Sequence, residues 1–352
     1  MATKIPVGIL GATGMVGQTL VNMLAGPPWF EVTELAASER SAGRSYEEVM
    51  GTRWNASASM PEYARGLRVK ECRPGLDCSI VLSALDSSVA GGVEEDFARE
   101  GYAVSSNAKN HRMDADVPLL IPEINAGHVG LIGAQRKRRG WKGYIVTDPN
   151  CTTIHMCLAL KPLIDLFGVD KVMVTSMQAL SGAGYPGVSA MDIVDNVIPF
   201  IGDEEEKVQE EPLKIFGSMS DGTVSRARMA ISAQCNRVAV RQGHTECISV
   251  KLSGKASRDE VIDAFIGFRA SGMPKLPSAP EHPVIYLAQE DRPQPKLDIG
   301  LEGGMASVVG RLRPCSILDY KFVVLGNNLV RGAAGAAILN AELLKASGYL
   351  DG

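Results

Sequence analysis

No run of apolar residues in this chain reaches the roughly 18–20 that a helical bilayer span requires. Positive charge is not in excess: 36 Lys and Arg stand against 40 Asp and Glu, for a net charge of −4. That balance gives no electrostatic case for a nucleic acid or an anionic membrane as partner. The one basic run, Arg136-Lys137-Arg138-Arg139, is short and reads as a solvated helix end. The seven cysteines are an odd number and widely scattered. Their two close pairs, Cys72/Cys78 and Cys151/Cys157, lack metal-ligand spacing with histidine, so no metal is expected. Free thiols in a reducing, cytoplasmic compartment are expected instead. Neither a signal pattern nor a transit pattern precedes the first strand. Internal repeats and low-complexity tracts are absent.

The 352 residues are enough for two domains, each with its own core. Pro6 to Leu10 is a short apolar strand. Gly11-Ala12-Thr13-Gly14-Met15-Val16-Gly17 follows it, and then a helix through Leu20, Val21 and Leu24. Strand, glycine turn and helix in that order mark a dinucleotide-binding unit, because glycines let the backbone approach a pyrophosphate at a helix N-terminus. The second strand, Glu31 to Ala37, ends in Ser38-Glu39-Arg40-Ser41-Ala42-Gly43-Arg44. Two arginines and two serines there suit a ribose 2′-phosphate, so NADP is expected over NAD; Glu39 dissents. Cys78 to Leu85 and Ala103 to Asn107 read as further buried strands. Small polar residues at their ends, Ser83 among them, are expected where strand C-termini line a cofactor crevice. Arg112, in the loop that follows, is a candidate anion ligand.

Thr147-Asp148-Pro149-Asn150-Cys151-Thr152-Thr153 puts a cysteine where a strand hands over to a helix. A thiol in the first turn faces free N–H groups and the positive end of the helix dipole, both of which favour thiolate. Pro162 is expected to kink or end that helix. His155 lies one turn beyond Cys151 on the same helix face; packing against the first domain is its expected role. Val172 to Met177 is a strand leading into the glycine-rich loop from Gln178 to Gly187, which contains Ser181 and Gly182. An amphipathic segment from Met191 to Ile198 and an acidic helix opened by Asp203 to Lys207 come next. Most of that charge run reads as a solvated face. Two strands about the Arg241–Gly243 bend bring Arg237 and His244 together near one end of a sheet. The chain closes with Asn327-Asn328-Leu329-Val330-Arg331-Gly332 and an alanine-rich helix.

Taken together, these motifs resemble the aspartate-semialdehyde dehydrogenases of the archaeal and fungal type, over essentially the whole chain. The resemblance rests on the glycine turn, the Ser38–Arg44 loop, Asp-Pro-Asn-Cys-Thr-Thr, and Gln-Ala-Leu-Ser-Gly-Ala-Gly-Tyr-Pro-Gly. It also rests on Cys-Asn-Arg-Val-Ala-Val with Gly-His-Thr-Glu, and on Asn-Asn-Leu-Val-Arg-Gly-Ala-Ala-Gly. It implies an α/β fold: a Rossmann-type dinucleotide-binding domain over residues 1–148 and an α+β catalytic and dimerisation domain with a mixed sheet over 149–328. The C-terminal helix, 329–352, would return to the first domain. It implies Cys151 as nucleophile, His244 as acid/base and Gln178 as a holder of the reacting group. Arg237 would take the substrate carboxylate, Glu211 its amine, Lys214 and Arg112 phosphate; Asn150 would flank the substrate. Gly11, Thr13, Gly14, Met15, Val16, Ser38, Arg40, Ser41, Ser83, Ser181, Gly182 and Asn328 would hold NADP.

The implied reaction joins aspartyl phosphate, aspartate semialdehyde, inorganic phosphate and NADP, with a homodimer or homotetramer as the working form. A coenzyme A thioester reductase of the malonyl-CoA type looks like the same fold. Asn150 and Thr153 beside the cysteine, and Gly243-His244-Thr245-Glu246, stand against that alternative. N-acetyl-glutamyl-phosphate reductases carry a Pro-Gly-Cys-Tyr-type turn absent here. A non-catalytic NADP-binding protein on this fold would not need Cys151, Gln178, Arg237 and His244 together.

Overall fold

A computed structural model describes residues 4–56 and 58–350. The outermost residues of the expected first and last segments, 1–3 and 351–352, lie outside the described residues.

Strands β1 (Ile5–Leu10), β2 (Phe30–Ala37), β3 (Val69–Glu71), β4 (Ile80–Ser83), β5 (Ala103–Ser106) and β6 (Tyr144–Thr147) form one parallel sheet in the order β3-β2-β1-β4-β5-β6. Every residue of β4, β5 and β6 is buried. Parallel strands covered on both faces read as continuous apolar runs, as these do. The strand order reverses between β1 and β4. A doubly wound sheet opens a crevice at that switch point, beyond the strand C-termini. The glycine turn after β1 and Ala84–Asp86 after β4 both lie at that end.

Beyond the helix Cys151–Phe167 the chain enters a second sheet. Its strands are β7 (Val169–Gln178), β10 (Ala230–Arg237), β11 (His244–Leu252), β12 (Val284–Leu287), β13 (Ser307–Pro314) and β14 (Tyr320–Gly326), in the order β10-β7-β11-β14-β13-β12. A small hairpin, β8 (Ser218–Ser220) and β9 (Thr223–Ser225), stands apart. The second sheet is mixed: β10 runs parallel to β7, and β11 runs antiparallel to both β7 and β14. In β11, buried residues alternate with exposed or half-buried ones. This is the period-2 signature of a sheet with one covered face. The α/β architecture expected from the sequence is the one observed.

The last helix, Gly335–Ala346, packs in the core of the first sheet. Ala337, Ile338, Leu339 and Leu343 share a cluster with Val7, Ile9, Leu20 and Val146. Ser105 also donates to the Ala337 carbonyl at 3.2 Å. Just before it, Arg331 pairs with Glu123 at 2.6 Å, both side chains fully buried. Removing one partner of such a pair leaves a buried charge uncompensated, which costs about 3–5 kcal/mol.

Four places refine the local expectations. The Arg237 and His244 strands flank the Arg241–Gly243 bend as expected, but they are not neighbours, because β7 lies between β10 and β11. The helix from Cys151 does not end at Pro162 and continues to Phe167. Its surroundings explain this: nearly the whole helix is buried in the second core, which fixes its path by packing. The segment 191–198 holds only the short helix Ala190–Ile193, with Met191, Val194 and Val197 exposed. His155 packs on the second sheet rather than on the first domain: its Nδ1 lies 2.8 Å from Ser307 Oγ. Burial and nearby Arg331 push that imidazole down to about 3, so it is neutral.

The His155 ring lies directly over Gly326, where an added Cβ would come within 2.0 Å of the ring. Ser307 and His244 are the cross-strand partners of Gly326. Gly326→Ala is therefore expected to lower stability by about 1–3 kcal/mol, the usual cost of overpacking. Urea unfolding checks this, and a midpoint equal to that of the wild type would contradict the packing.

Candidate active site

The site is built outward from one turn. Asn150 caps the helix Cys151–Phe167: its Oδ1 accepts from the N–H groups of Thr152 (2.9 Å) and Thr153 (3.2 Å). Asn is among the favoured N-cap residues for this geometry. Its own N–H donates to Glu211 Oε2 at 2.7 Å, and its Nδ2 donates to Glu204 Oε1 at 2.8 Å. Both carboxylates belong to the helix Glu204–Ile215. Cys151 is thereby fixed as the first residue of its helix. Glu211 reaches further, accepting from Arg112 Nη1 at 2.9 Å, while Arg112 Nη2 donates to the Asn107 carbonyl at 2.7 Å.

The end of the second sheet supplies the opposite wall. Gln178 ends β7, Arg237 ends β10, and the two are paired in register. His244 opens β11, one residue beyond the Thr245–Met177 pair. Arg237 Nη1 donates to the Ala179 carbonyl at 2.7 Å. The Ala179 N–H donates to His244 Nδ1 at 3.1 Å. A backbone N–H can only donate, so neutral His244 carries its proton on Nε2. That nitrogen has no partner among the described residues. A Cβ on Gly182 would sit 2.9 Å from Arg237 Nη1 and 3.2 Å from His244 Nε2. The loop lies this close to both side chains only because residue 182 is glycine.

A cleft of about 730 Å³ runs between the two walls. Gly14, Met15 and Val16 line it on the first-sheet side. Asn150, Cys151, Gln178 and Arg237 line the other, with Ser181, Gly182 and Asn328 between. Asn328 is held in place: its Oδ1 accepts from the Gly243 N–H at 2.9 Å and its Nδ2 donates to Ser181 Oγ at 2.9 Å.

The dinucleotide expectation can be tested on the helix Met15–Met23. Gly14 caps it with no side-chain hydrogen bond, and its first turn has no acidic residue. Free N–H groups at an uncapped, uncharged helix start suit a pyrophosphate. Ser38 and Arg40 are exposed just past β2, and Arg44 is exposed with Nη2 on the Glu48 carbonyl. The residues present fit a phosphorylated dinucleotide. No group of three or more possible metal ligands occurs among the described residues.

Electrostatics corrects one expectation. Burial pushes the Cys151 thiol up to about 12, and Glu204 adds to the shift. Arg112, the Thr152 N–H and Arg237 oppose it without overcoming it. The helix terminus favours thiolate, but desolvation outweighs it. Burial and Arg237 push His244 down to about 3. The resting pair is therefore a neutral thiol and a neutral imidazole. Asp148, also in the cleft, is raised well above the usual carboxylate range by burial, and neither carboxyl oxygen has a partner among the described residues.

Four expected site residues are placed differently. Lys214 Nζ donates to the carbonyls of Arg112 (2.6 Å), Asp114 (2.7 Å) and Val117 (2.8 Å). Its three donors hold that loop and leave none for phosphate. Glu211 is spent on Arg112 and Asn150 behind the cleft wall. Ser83 is fully buried and donates to Glu94 Oε1 at 2.6 Å, away from the crevice. Ser41 is also buried. Conversely, Glu204, Lys207, Lys109, Asn107 and Asp148 line the cleft, and sequence reasoning did not single them out. The signal for the first two was the Glu204/Lys207 spacing of three, which puts both on one helix face; the surrounding acidic run masked it.

A doubly wound dinucleotide-type domain, joined through a capped cysteine helix to a mixed-sheet domain, defines the semialdehyde dehydrogenase class. Two family models agree: residues 6–132 match "Semialdehyde dehydrogenase, NAD binding domain", and residues 160–331 match "Semialdehyde dehydrogenase, dimerisation domain". The chain belongs to the aspartate-semialdehyde dehydrogenase family. It is 50% identical to the aspartate-semialdehyde dehydrogenase of Archaeoglobus fulgidus over 339 residues, covering 96% of this chain and 97% of that one. It is 42% identical to the Candida albicans enzyme over 361 residues, covering 97% and 98%. A crystal structure of aspartate semialdehyde dehydrogenase with NADP from Candida albicans superposes with a TM-score of 0.89 at 40% identity, covering 98% and 99%.

Thiol alkylation tests the charge state of Cys151. With the thiol raised, the thiolate fraction climbs tenfold per pH unit across neutrality. Iodoacetamide labelling of Cys151 in the unliganded protein, followed by peptide mass spectrometry, should accelerate steadily from pH 6 to pH 9. A plateau below pH 7 would show a stable thiolate and contradict the burial effect.

Proposed function

We propose that this chain catalyses the reversible, NADP-dependent reductive dephosphorylation of L-4-aspartyl phosphate to L-aspartate 4-semialdehyde, a step in amino-acid biosynthesis. The observation that carries this reading is the convergence of Cys151, Gln178 and Arg237 on one cleft with the uncapped helix start at Gly14. Arg237 is a buried guanidinium that forms no ion pair among the described residues. An unpaired buried cation of that kind calls for a carboxylate ligand. The relatives' name and the NADP in the Candida albicans structure support the same assignment.

In the reductive direction, Cys151 Sγ attacks the acyl carbon. The new S–C bond replaces the C–O bond to phosphate, and the thiol proton goes to the departing inorganic phosphate. The dinucleotide, when bound, supplies hydride to the thioester carbon. The His244 Nε2–H donates a hydrogen bond to the oxyanion of the resulting thiohemiacetal; as that oxyanion re-forms C=O the S–C bond breaks, freeing the aldehyde and a Cys151 thiolate that takes a proton from solvent. Backbone N–H groups at the start of the cysteine helix hold the developing oxyanion. Arg112 and Lys207 are the cations for phosphate, replacing Lys214. Ser38 and Arg40 take the ribose 2′-phosphate.

The working form is a homodimer or homotetramer, and the compartment is the cytoplasm. The exposed face of the second sheet, with Met173 and Cys247, and the exposed Met191 and Phe200 support self-association. Residues 1–148 and 149–328 are the cofactor and catalytic domains, with 329–352 returning to the first.

The test is NADPH formation from aspartate semialdehyde with and without inorganic phosphate. A phosphate-dependent signal, abolished in Cys151→Ala while NADPH binding persists, is expected. Turnover of the semialdehyde without phosphate, or NADPH oxidation by malonyl-CoA in its place, would contradict the proposal.

A further inference from the structure

The segment that joins the second sheet to the last helix is wound as one wide turn. The Gly332 N–H donates to the Asn327 carbonyl at 2.9 Å and the Ala334 N–H to the Leu329 carbonyl at 3.0 Å, so Val330–Ala334 is a π-helix. Such turns are rare and concentrate at functional sites. This one meets the cleft at two points. Gly332 packs on the nucleophile, where an added Cβ would sit 2.7 Å from the Cys151 Cβ. Asn328, just before the turn, is bonded to Gly243 and Ser181. Gly332 and Ala333 line the cleft together with Cys151 and Asn328. Arg331 is instead fully buried, the bulkiest such side chain among the described residues. Its Nη2 donates to Glu123 Oε2 at 2.6 Å, and Glu123 is its one ion-pair partner among the described residues.

Glu123 belongs to the helix Pro122–Asn125, inside the stretch that matches the NAD-binding model, and Arg331 is the last residue matched by the dimerisation model. The pair therefore ties one matched domain to the other, one residue away from the contact with Cys151. An apolar side chain could fill the same space, but a charged donor and acceptor at hydrogen-bond distance also fix where the chain lies. Asn327 holds the start of the turn, its Oδ1 accepting from the N–H groups of Leu329 (3.2 Å) and Val330 (3.1 Å). We propose that Arg331 is a positioning residue for the reaction: bonded to Glu123, it presses Gly332 against Cys151 and fixes the thiol relative to Asn328, the expected cofactor contact. This rests on the aspartate-semialdehyde reading above and deepens it. Hydride transfer needs the carbon on sulfur and the nicotinamide aligned, and a misplacement of about 1 Å costs on the order of a hundredfold in rate.

The test replaces both partners at once, because either change alone strands a buried charge. Arg331→Met with Glu123→Met in the full-length enzyme should unfold in urea within about 0.5 M of the wild-type midpoint. Without cofactor, its Cys151 should react with iodoacetamide at fixed pH at least about fivefold faster than in wild type, because the thiol is less enclosed. With phosphate and NADP, its kcat for aspartate semialdehyde should fall at least about tenfold. Deuterium on the aldehyde carbon should slow the variant by at least the factor seen for wild type, which places the loss in the hydride step. Labelling and kcat both within about twofold of wild type would show that the pair merely braces the core, and would overturn the proposal. A fall in kcat with a smaller isotope effect would overturn it too, since the loss would lie in another step. If the double variant does not fold, Arg331→Lys carries the test. It keeps a charge for Glu123 but not the guanidinium fork, so the same changes should appear to a lesser degree, and wild-type labelling and kcat would overturn the proposal. Failure of the underlying reading looks different: the wild type itself would show no phosphate-dependent turnover, while the labelling rate would still respond.

Discussion

Asn150 uses all its hydrogen-bonding groups to bind three pieces of chain to one point, its carbonyl accepting from the Ile154 N–H at 2.9 Å. Its side-chain oxygen caps the cysteine helix, its side-chain nitrogen holds Glu204, and its backbone N–H holds Glu211. Glu211 extends the tie to Arg112, in the loop after β5. The last strand of the first sheet, the cysteine helix and the acidic helix therefore cannot move independently near Cys151. Buried polar groups with complete partners specify geometry, because the alternative leaves donors and acceptors unpaired at about 1–3 kcal/mol each. The register of the second sheet does the rest. It sets Gln178, Arg237 and His244 at one strand end, opposite the dinucleotide turn.

The same enclosure sets the chemistry. A thiol at a helix start is biased toward thiolate, yet desolvation here outweighs that bias and holds Cys151 neutral. Arg237 remains a buried cation without a carboxylate, and His244 remains neutral with Nε2–H unpaired. A substrate bearing two anionic groups would meet both unpaired groups and expel the water around them. The unliganded site is thus electrostatically incomplete in a way that a zwitterionic acyl phosphate completes.

Much of this was legible in the sequence. Apolar strands with glycine punctuation announced the parallel sheet, and the Asp-Pro-Asn-Cys junction announced a cysteine at a helix start, though not that Asn150 caps it. What escaped depended on non-local partners. Lys214 matched a motif, but three loop carbonyls absorb its donors. Ser83 sits at the right strand end but faces Glu94. Glu204 and Lys207 looked like solvated charges because nothing local reveals that Asn150, 54 residues earlier, lies against that helix face. Pro162 read as a kink or an end because propensity is a local quantity, whereas the burial that carries the helix through it is not.

The central claim is that Asn150 positions the nucleophile. Its most direct test is the turnover number of Asn150→Ala in the phosphate-dependent reaction, measured beside the NADPH dissociation constant. One buried carboxylate, that of Glu204, and two helix N–H groups would lose their side-chain partner, while the backbone N–H to Glu211 remains. The expected result is a fall in kcat of roughly two orders of magnitude, with cofactor binding preserved. A kcat within about threefold of wild type would show that packing alone places Cys151, and that the hydrogen bonds at Asn150 are incidental.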